Sequence, residues 1–252
     1  MNEFREPGNR STADPRRPNR AINVPGAVLW FILALVVVHG LRQVIGRDLD
    51  EWVLFTFAFI PARFAPPPEL AGVVFPGPAG ARWWSFVTHM LLHGDWLHLI
   101  VNSVWMMAFG SVLARRVGAG RFWLISAASA AGGAAVNLAW HWGAELTLLV
   151  GASGAVSGQL AGAVRLMFAD GGSLATIGRQ RFERVRALSL AETFRTPGAL
   201  MFLGVWFAIT LFAGAVSFGP PGEAARIAWE AHVGGFLAGL VCFGLVDRGP
   251  KG

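Results

Sequence analysis

Two hydrogen-bonding side chains, Ser153 and His232, stand inside stretches that otherwise have the composition of lipid-embedded helices. The serine lies in the sequence GASG and the histidine in AHVGG. A serine hydroxyl is a weak nucleophile at its own pKa, and a histidine within hydrogen-bond reach activates it by accepting its proton. The two residues therefore predict amide hydrolysis within a membrane, with Ser153 as the nucleophile and His232 as the base.

A further apolar stretch carries two more polar side chains, His98 and Asn102. Their i, i+4 spacing places both on one face of a helix, so that both can point at the same spot. Acyl transfer needs hydrogen-bond donors aimed at the oxyanion of its tetrahedral intermediate, and each donor contributes roughly 3 to 4 kcal/mol. His98, Asn102 and the backbone N–H of Ser153, near the start of its helix, are the candidate donors.

The composition is that of an integral membrane protein, because 54% of the 252 residues are hydrophobic and only 14% are charged. Soluble domains carry about 25% charged residues. Six charge-free runs fit the length of about 20 apolar residues that crosses a bilayer. They cover residues 21–41, 96–114, 122–144, 146–164, 196–222 and 231–246, the last completed by residues 227–230.

The predicted fold is therefore an all-α membrane protein, a six-transmembrane-helix bundle with a large extracytoplasmic first loop. Its predicted domains are a disordered basic cytoplasmic tail over residues 1–24, the six-helix domain over 25–247 and a cytoplasmic C-terminal tail over 248–252. In the first loop, residues 46–82, an apolar stretch at 52–60 is too short to span and is expected to lie at the membrane surface.

Arginine placement predicts the orientation, because basic loops stay in the cytoplasm. An inside N-terminus puts most of the 21 basic residues on the cytoplasmic side. Both termini are then cytoplasmic, and the expected location is the bacterial inner membrane. Contact with anionic lipid explains the net charge of +6 more simply than nucleic acid does.

The four polar side chains also share a depth. At a rise of about 1.5 Å per residue, Ser153, Asn102, His232 and His98 lie roughly 18, 20, 22 and 26 Å above the cytoplasmic ends of their helices. That layer is in the outer half of a hydrocarbon core about 30 Å thick.

Small residues are expected to bring the helices of this layer together, since glycine ridges let backbones approach closely in membranes. Such an approach of the fourth and sixth predicted helices would bring Ser153 within reach of His232. The predicted helix-packing residues are Gly151, Gly154, Gly158, Gly235 and Gly239.

Three motifs, HLIVN at 98–102, GASG at 151–154 and AHVGGFLAG at 231–239, together resemble the rhomboid intramembrane serine proteases. The resemblance covers about residues 84–246. It implies Ser153 as nucleophile, His232 as base, and His98 with Asn102 at the oxyanion. It also implies six membrane spans and substrates that are themselves membrane-anchored helices.

Two positions depart from the pattern of that family. Rhomboids often have Trp-Arg in the first outer loop, whereas Trp84 is followed by Ser85 here. Many members also place an aromatic residue one turn after the nucleophile, against the base, where this chain has Ser157. The support of His232 is therefore expected from Phe236 or Trp229.

Other classes of hydrolase fit less well. The nucleophile elbow of soluble serine hydrolases needs glycine two residues after the serine, where Ala155 stands. No His-Glu-x-x-His pattern is present, so neither a metal nor another cofactor is expected. Glu230 is about 200° around the helix from His232, which predicts a dyad without a carboxylate. The alternative left open is a catalytically silent rhomboid-like protein that binds membrane helices.

The remaining polar and aromatic residues receive structural predictions. The membrane interface is expected for His39, His89, His93 and His141. Asn137, Gln159 and Thr210 are expected to pair helices or to line a water path. Lateral access beside the fifth predicted span would pass Phe202, Trp206 and Phe207, which are candidates for a gate or for lipid-facing packing. The residues do not predict an oligomeric state.

Overall fold

The computed structural model describes residues 24–143, 146–172, 182–215 and 228–250. Nearly all of the predicted tail over residues 1–24 lies outside the described residues, as do Arg179, Arg181, Arg226 and Lys251. Within the described ranges the regular structure is helical, apart from an isolated antiparallel bridge between Phe59 and Leu149.

Eight helices of eight residues or more organise the described part of the chain. The longest are apolar along most of their length, as a segment in hydrocarbon must be. They are helical because such a segment must satisfy its backbone groups internally. In chain order they are α1 (Gly26–Val44), α2 (Arg47–Phe57), α3 (Ala81–Thr88), α4 (Trp96–Val117), α5 (Ala119–Trp140), α6 (Ser153–Met167), α7 (Pro197–Ala215) and α8 (Trp229–Val246). Helix α4 includes one π-helical segment at Met106–Gly110.

Four of the described helices, α1, α4, α5 and α8, are long and apolar enough to cross a bilayer. Helix α7 is apolar over the shorter stretch Pro197–Phe212, and α6 has 15 residues. The chain is therefore a multi-pass membrane protein, and its fold is an all-helical bundle.

Helix α6 begins seven residues later than the apolar run that predicts it, at Ser153 rather than at Leu146. Residues ahead of it are held out of the helix by the bridge from Leu149 to Phe59. Gly151 then has φ 116°, a conformation that side chains rarely adopt. Apolar composition alone does not reveal either constraint.

The centre of the bundle is a backbone contact between α6 and α8. A methyl group built on Gly235 would collide with the carbonyl oxygen of Gly154, and one on Gly239 would collide with Gly158. Helix α5 packs against both of them: Gly133 comes close to the carbonyl oxygen of Ala231 on α8, and Ser129 lies against Gly158 of α6. Backbones approach this closely in membranes only where side chains are absent or very small.

The outer loop is braced by side chains bonded to backbone carbonyls. Arg63 donates to the carbonyl oxygens of Phe55 and Pro76 at 2.6 and 2.8 Å. Trp84 Nε1 donates to Thr56 O at 3.0 Å. Arg63 and Trp84 therefore both brace this loop, and the residue directly after Trp84 is Ser85.

At the end of the bundle away from Ser153 and His232, Arg116 is buried. Its guanidinium forms an ion pair with Asp247 at 2.6 Å, and its side chain is 1% exposed. The same group donates to three carbonyl oxygens, those of Phe182, Glu183 and Val185. This arginine connects the inner ends of α4 and α8 and is structural, contrary to the lipid-contact prediction for the basic residues.

The glycine contact makes a direct prediction for stability. Gly235→Ala should destabilise the protein by about 1 to 3 kcal/mol, because the added methyl group overpacks the contact with α6. Gly244→Ala is the matched control on the same helix, since an added methyl group there would lie 3.8 Å from its nearest neighbour, Arg165 Nη1. That control should be neutral or stabilising by up to about 1 kcal/mol. Equal thermal denaturation midpoints for the two variants in detergent would contradict the contact.

Candidate active site

Ser153 is the first residue of α6 and is half-buried. The first N–H groups of a helix have no partner within the helix, and the helix dipole favours negative charge at this end. The backbone N–H of Ser153 is thus a donor of the kind that an oxyanion needs. Ser157 donates its hydroxyl to the carbonyl oxygen of Ser153 at 2.7 Å.

His232 is in the first turn of α8 and is also half-buried. The residues next to the serine and the histidine approach each other: a methyl group built on Gly154 would lie 3.5 Å from Ala231 O. Ser153 and His232 therefore lie at the same level on two helices that touch. Both are near the N-terminal ends of α6 and α8, at one end of the contact between these helices.

His98 lies against the turn that precedes Ser153. A Cβ atom on Gly151 would come within 2.6 Å of His98 Cε1 and 2.7 Å of its Nε2. Gly151 was predicted to be a helix-packing residue. It is instead a turn residue that makes room for the imidazole of His98.

Asn102 is one turn further along α4 and is buried. Its Nδ2 donates to the carbonyl oxygen of His98 at 3.0 Å, so the amide is bonded to its own helix in this structure. Asp95 caps the start of the helix by accepting from the backbone N–H of His98 at 2.8 Å. The cap fixes where α4 begins and hence where both side chains point.

Two histidines predicted at the interface belong to the site instead. His89 and His93 are buried, and each binds the turn before Ser153. His89 O accepts from the N–H of Gly151 at 3.0 Å, and His93 Nε2 accepts from the N–H of Ala152 at 3.5 Å. The signal was present as a run of histidines at 89, 93 and 98, although only the last lies in an apolar run.

His39 was also predicted at the interface and is buried, edge-on to Trp96 at 4.6 Å between ring centroids. Among the described residues, neither ring nitrogen of His39 has a hydrogen-bond partner.

Gln159 was predicted to pair helices or to line a water path. It pairs α6 with α5, since its Nε2 donates to Ser126 Oγ at 3.0 Å.

Glu230, two residues before His232, is directed away from the site. Its Oε1 accepts from Asn137 Nδ2 at 2.7 Å and lies 3.3 Å from His141 Nε2. His232 Nδ1 is buried, and within the described part of the chain it has no hydrogen-bond partner. No described carboxylate therefore orients the imidazole.

The aromatic ring next to His232 comes from an unexpected helix. Trp206 of α7 lies 6.1 Å from the imidazole between ring centroids, at an interplanar angle of 41°. Trp229 pairs with Trp140 at 4.9 Å between ring centroids. Phe236 packs against Trp206. Phe236 and Trp229, the predicted supports of His232, therefore do not supply the ring that lies next to its imidazole.

A family model described as the Rhomboid domain matches residues 80–248. This range contains every residue of the candidate site and about two thirds of the chain. The chain belongs to the rhomboid family. The helical bundle and the turn that carries Ser153 are accordingly those of a rhomboid domain.

This rhomboid is also similar to a Bacillus subtilis (strain 168) protein named "Putative rhomboid protease YdcA". The two are 37% identical over 83 residues, which is 32% of this chain. The chain thereby spans 40% of the length of that relative.

In the described ranges, no three His, Cys, Asp or Glu side chains are grouped in a way that could hold a metal ion.

His89 and His93 lie between α3 and α4, outside the spanning helices. Burial, together with the smaller effects of the neighbouring His98, His39 and Arg42, lowers the pKa of His93 from 6.5 to about 3. Burial also lowers the pKa of His89 to about 4, although its hydrogen bond to Ser85 O opposes the shift. Both imidazoles are neutral near pH 7, and His93 Nε2 can therefore accept the Ala152 N–H.

Acid should therefore destabilise this rhomboid. Because the folded pKa values are depressed, the unfolded chain binds protons first, near pH 6.5. The stabilisation is complete above that pH and is lost as the pH falls towards about 3 to 4. The thermal denaturation midpoint should decrease over this window, and less steeply for His93→Gln. An unchanged slope in the variant would show that His93 is not a buried neutral acceptor.

Proposed function

We propose that this rhomboid is an intramembrane serine endopeptidase that cleaves transmembrane helices of membrane-anchored substrates with a Ser153–His232 dyad. One observation carries the proposal: the backbone contact of α6 with α8, in which Gly154, next to Ser153, approaches both Ala231, next to His232, and Gly235, about one turn further along α8. Membership of the rhomboid family supports a protease with membrane-protein substrates.

In the proposed reaction, Ser153 Oγ attacks the scissile carbonyl carbon while His232 accepts the hydroxyl proton. His232 returns that proton to the leaving amine as the C–N bond breaks. A water molecule then hydrolyses the acyl-enzyme, giving up its proton to His232, and the serine is restored. The sum is hydrolysis of one amide bond with no cofactor.

A dyad is supported by the surroundings of the histidine. A third residue in a triad accepts from the imidazole Nδ1 and fixes its tautomer. The carboxylate of Glu230 is engaged by Asn137 and His141, and His232 Nδ1 has no partner among the described residues. The base is therefore oriented by packing.

The proposed oxyanion donors are the backbone N–H of Ser153 and the side chains of His98 and Asn102. The first is at the start of α6, and the His98 ring lies against the turn ahead of it. In the proposed reaction the Asn102 amide gives up its hydrogen bond to His98 O and donates to the developing oxyanion instead. The oxyanion is the stronger acceptor because it is charged.

The proposed topology has six spanning helices, with α6 and α7 added to the four long ones, both termini in the cytoplasm of a bacterial inner membrane, and residues 46–82 as the large extracytoplasmic loop. The domain over 25–247 and the tails 1–24 and 248–252 belong to the same proposal. A site at this depth reaches only a helix that unwinds locally. Glycine or proline near the cleavage point is therefore expected in substrates.

The first test replaces each member of the dyad. Ser153→Ala and His232→Ala should each lower cleavage of a transmembrane substrate by a purified preparation about a thousandfold or more. Ser111→Ala is the matched control, since Ser111 is a buried helical serine whose hydroxyl has no partner among the described residues. That variant should cleave at close to the wild-type rate.

Labelling with a fluorophosphonate, followed by peptide mapping, should locate the label on Ser153. Undiminished cleavage by either dyad variant excludes the mechanism. A folded wild-type protein that neither cleaves nor accepts the label, but still binds membrane helices, favours the catalytically silent alternative.

Asn102→Ala tests the oxyanion site separately. The loss of one donor should lower kcat about a hundredfold with little change in KM, because the interaction forms in the transition state. Single-turnover and steady-state cleavage in the same detergent provide both constants. An increase in KM alone would assign Asn102 to substrate binding.

A further inference from the structure

The imidazole of His232 is part of an aromatic cluster between α7 and α8. Trp206 contacts His232 at 6.1 Å and Phe236 at 6.3 Å between ring centroids. Phe207 contacts Trp206 at 4.9 Å and Phe236 at 5.2 Å. These separations are within the 4.5 to 7 Å range of interacting aromatic pairs.

Helix α6 supplies no ring to the histidine from the position one turn after the nucleophile. Ser157 stands there, and its hydroxyl donates to Ser153 O instead. The imidazole Nδ1 also has no hydrogen-bond partner in the described ranges. With neither a hydrogen bond nor a ring from α6, the orientation of His232 depends on the packing of Trp206 against it.

Orientation of the base matters because a catalytic group must be held to within about 0.5 Å and 10 to 20° of its productive geometry. A displacement of 1 Å can cost about a hundredfold in rate. A histidine that rotates freely about its side-chain bonds would seldom meet the serine hydroxyl correctly.

Helix α7 is attached differently along its length. Near its start, Phe202 packs between Phe109 and Phe168, at 5.9 and 6.0 Å. One turn further on, its ring contacts are those with α8 at Trp206 and Phe207. Exposed apolar side chains cover its opposite face, namely Met201, Val205, Ile209 and Phe212.

We propose that Trp206 is the positioning residue for His232, so that the placement of α7 against α8 controls whether the base is oriented. This inference rests on the proposed protease function. It assigns Trp206 a role in the chemistry beyond that of a bulky residue beside a lateral opening.

The test compares Trp206→Leu with Phe202→Leu in the full chain. Both variants replace a ring of α7 by an aliphatic side chain, but Phe202 contacts Phe109 and Phe168 rather than His232. The first readout is the rate of labelling of Ser153 by a small fluorophosphonate, which requires the base but no lateral passage of a substrate helix. The second is the separation of kcat from KM for a transmembrane substrate.

For Trp206→Leu we expect labelling and kcat to fall about tenfold or more, with KM unchanged or lower. Phe202→Leu should label at the wild-type rate. Trp206→Phe should recover most of the loss because it retains a ring. If Trp206→Leu has a much lower denaturation midpoint than Phe202→Leu, Trp206→Met repeats the comparison with an aliphatic side chain of different shape.

Equal labelling rates for the Trp206 and Phe202 variants overturn the inference, while the proposed function stands if wild type is labelled and cleaves. Faster cleavage by Trp206→Leu with unchanged labelling also overturns it, because that result describes an obstacle to substrate and not a support for the base. Failure of wild type itself to label or cleave removes the proposed function, and the inference with it.

Discussion

The close approach of α6 and α8 is the constraint on which the rest of the structure depends. Apolar surfaces gain little by associating within lipid, so helices in a membrane are held by packing and hydrogen bonds. Gly154 and Gly235 let two backbones touch; Ser153 directly precedes the first, and His232 lies about one turn before the second. The same contact that stabilises the bundle therefore sets the distance over which the proposed dyad must act.

The arrangement around the serine follows from where α6 begins. The bridge at Leu149, the positive φ of Gly151 and the bonds from His89 and His93 all act on the short segment before Ser153. Together they present an unpaired helix N-terminus next to His98. A buried polar cluster has a high cost unless its members are bonded, and here the bonds go to backbone groups. His93 accepts from the N–H of Ala152, whereas Asn102 and Ser157 donate to carbonyl oxygens.

Much of this was predictable from the sequence. Hydropathy locates the long helices because lipid requires about 20 apolar residues, and i, i+4 spacing places His98 and Asn102 on one face. Local patterns could not locate contacts between distant segments. His93 lies in a polar turn and looks like an interface residue until the fold buries it against Ala152. Trp206 resembles a lipid-facing ring because nothing in the sequence relates it to His232.

The buried Arg116–Asp247 pair joins α4 to α8 at the end of the bundle away from the candidate site. Breaking a buried ion pair costs about 3 to 5 kcal/mol, since one charge is left without compensation. The same guanidinium also donates to the carbonyl oxygens of Phe182 and Val185, so the chain segment that contains them is tied to the same point. Separating α4 from α8 at this end would therefore require several bonds of one guanidinium to break together.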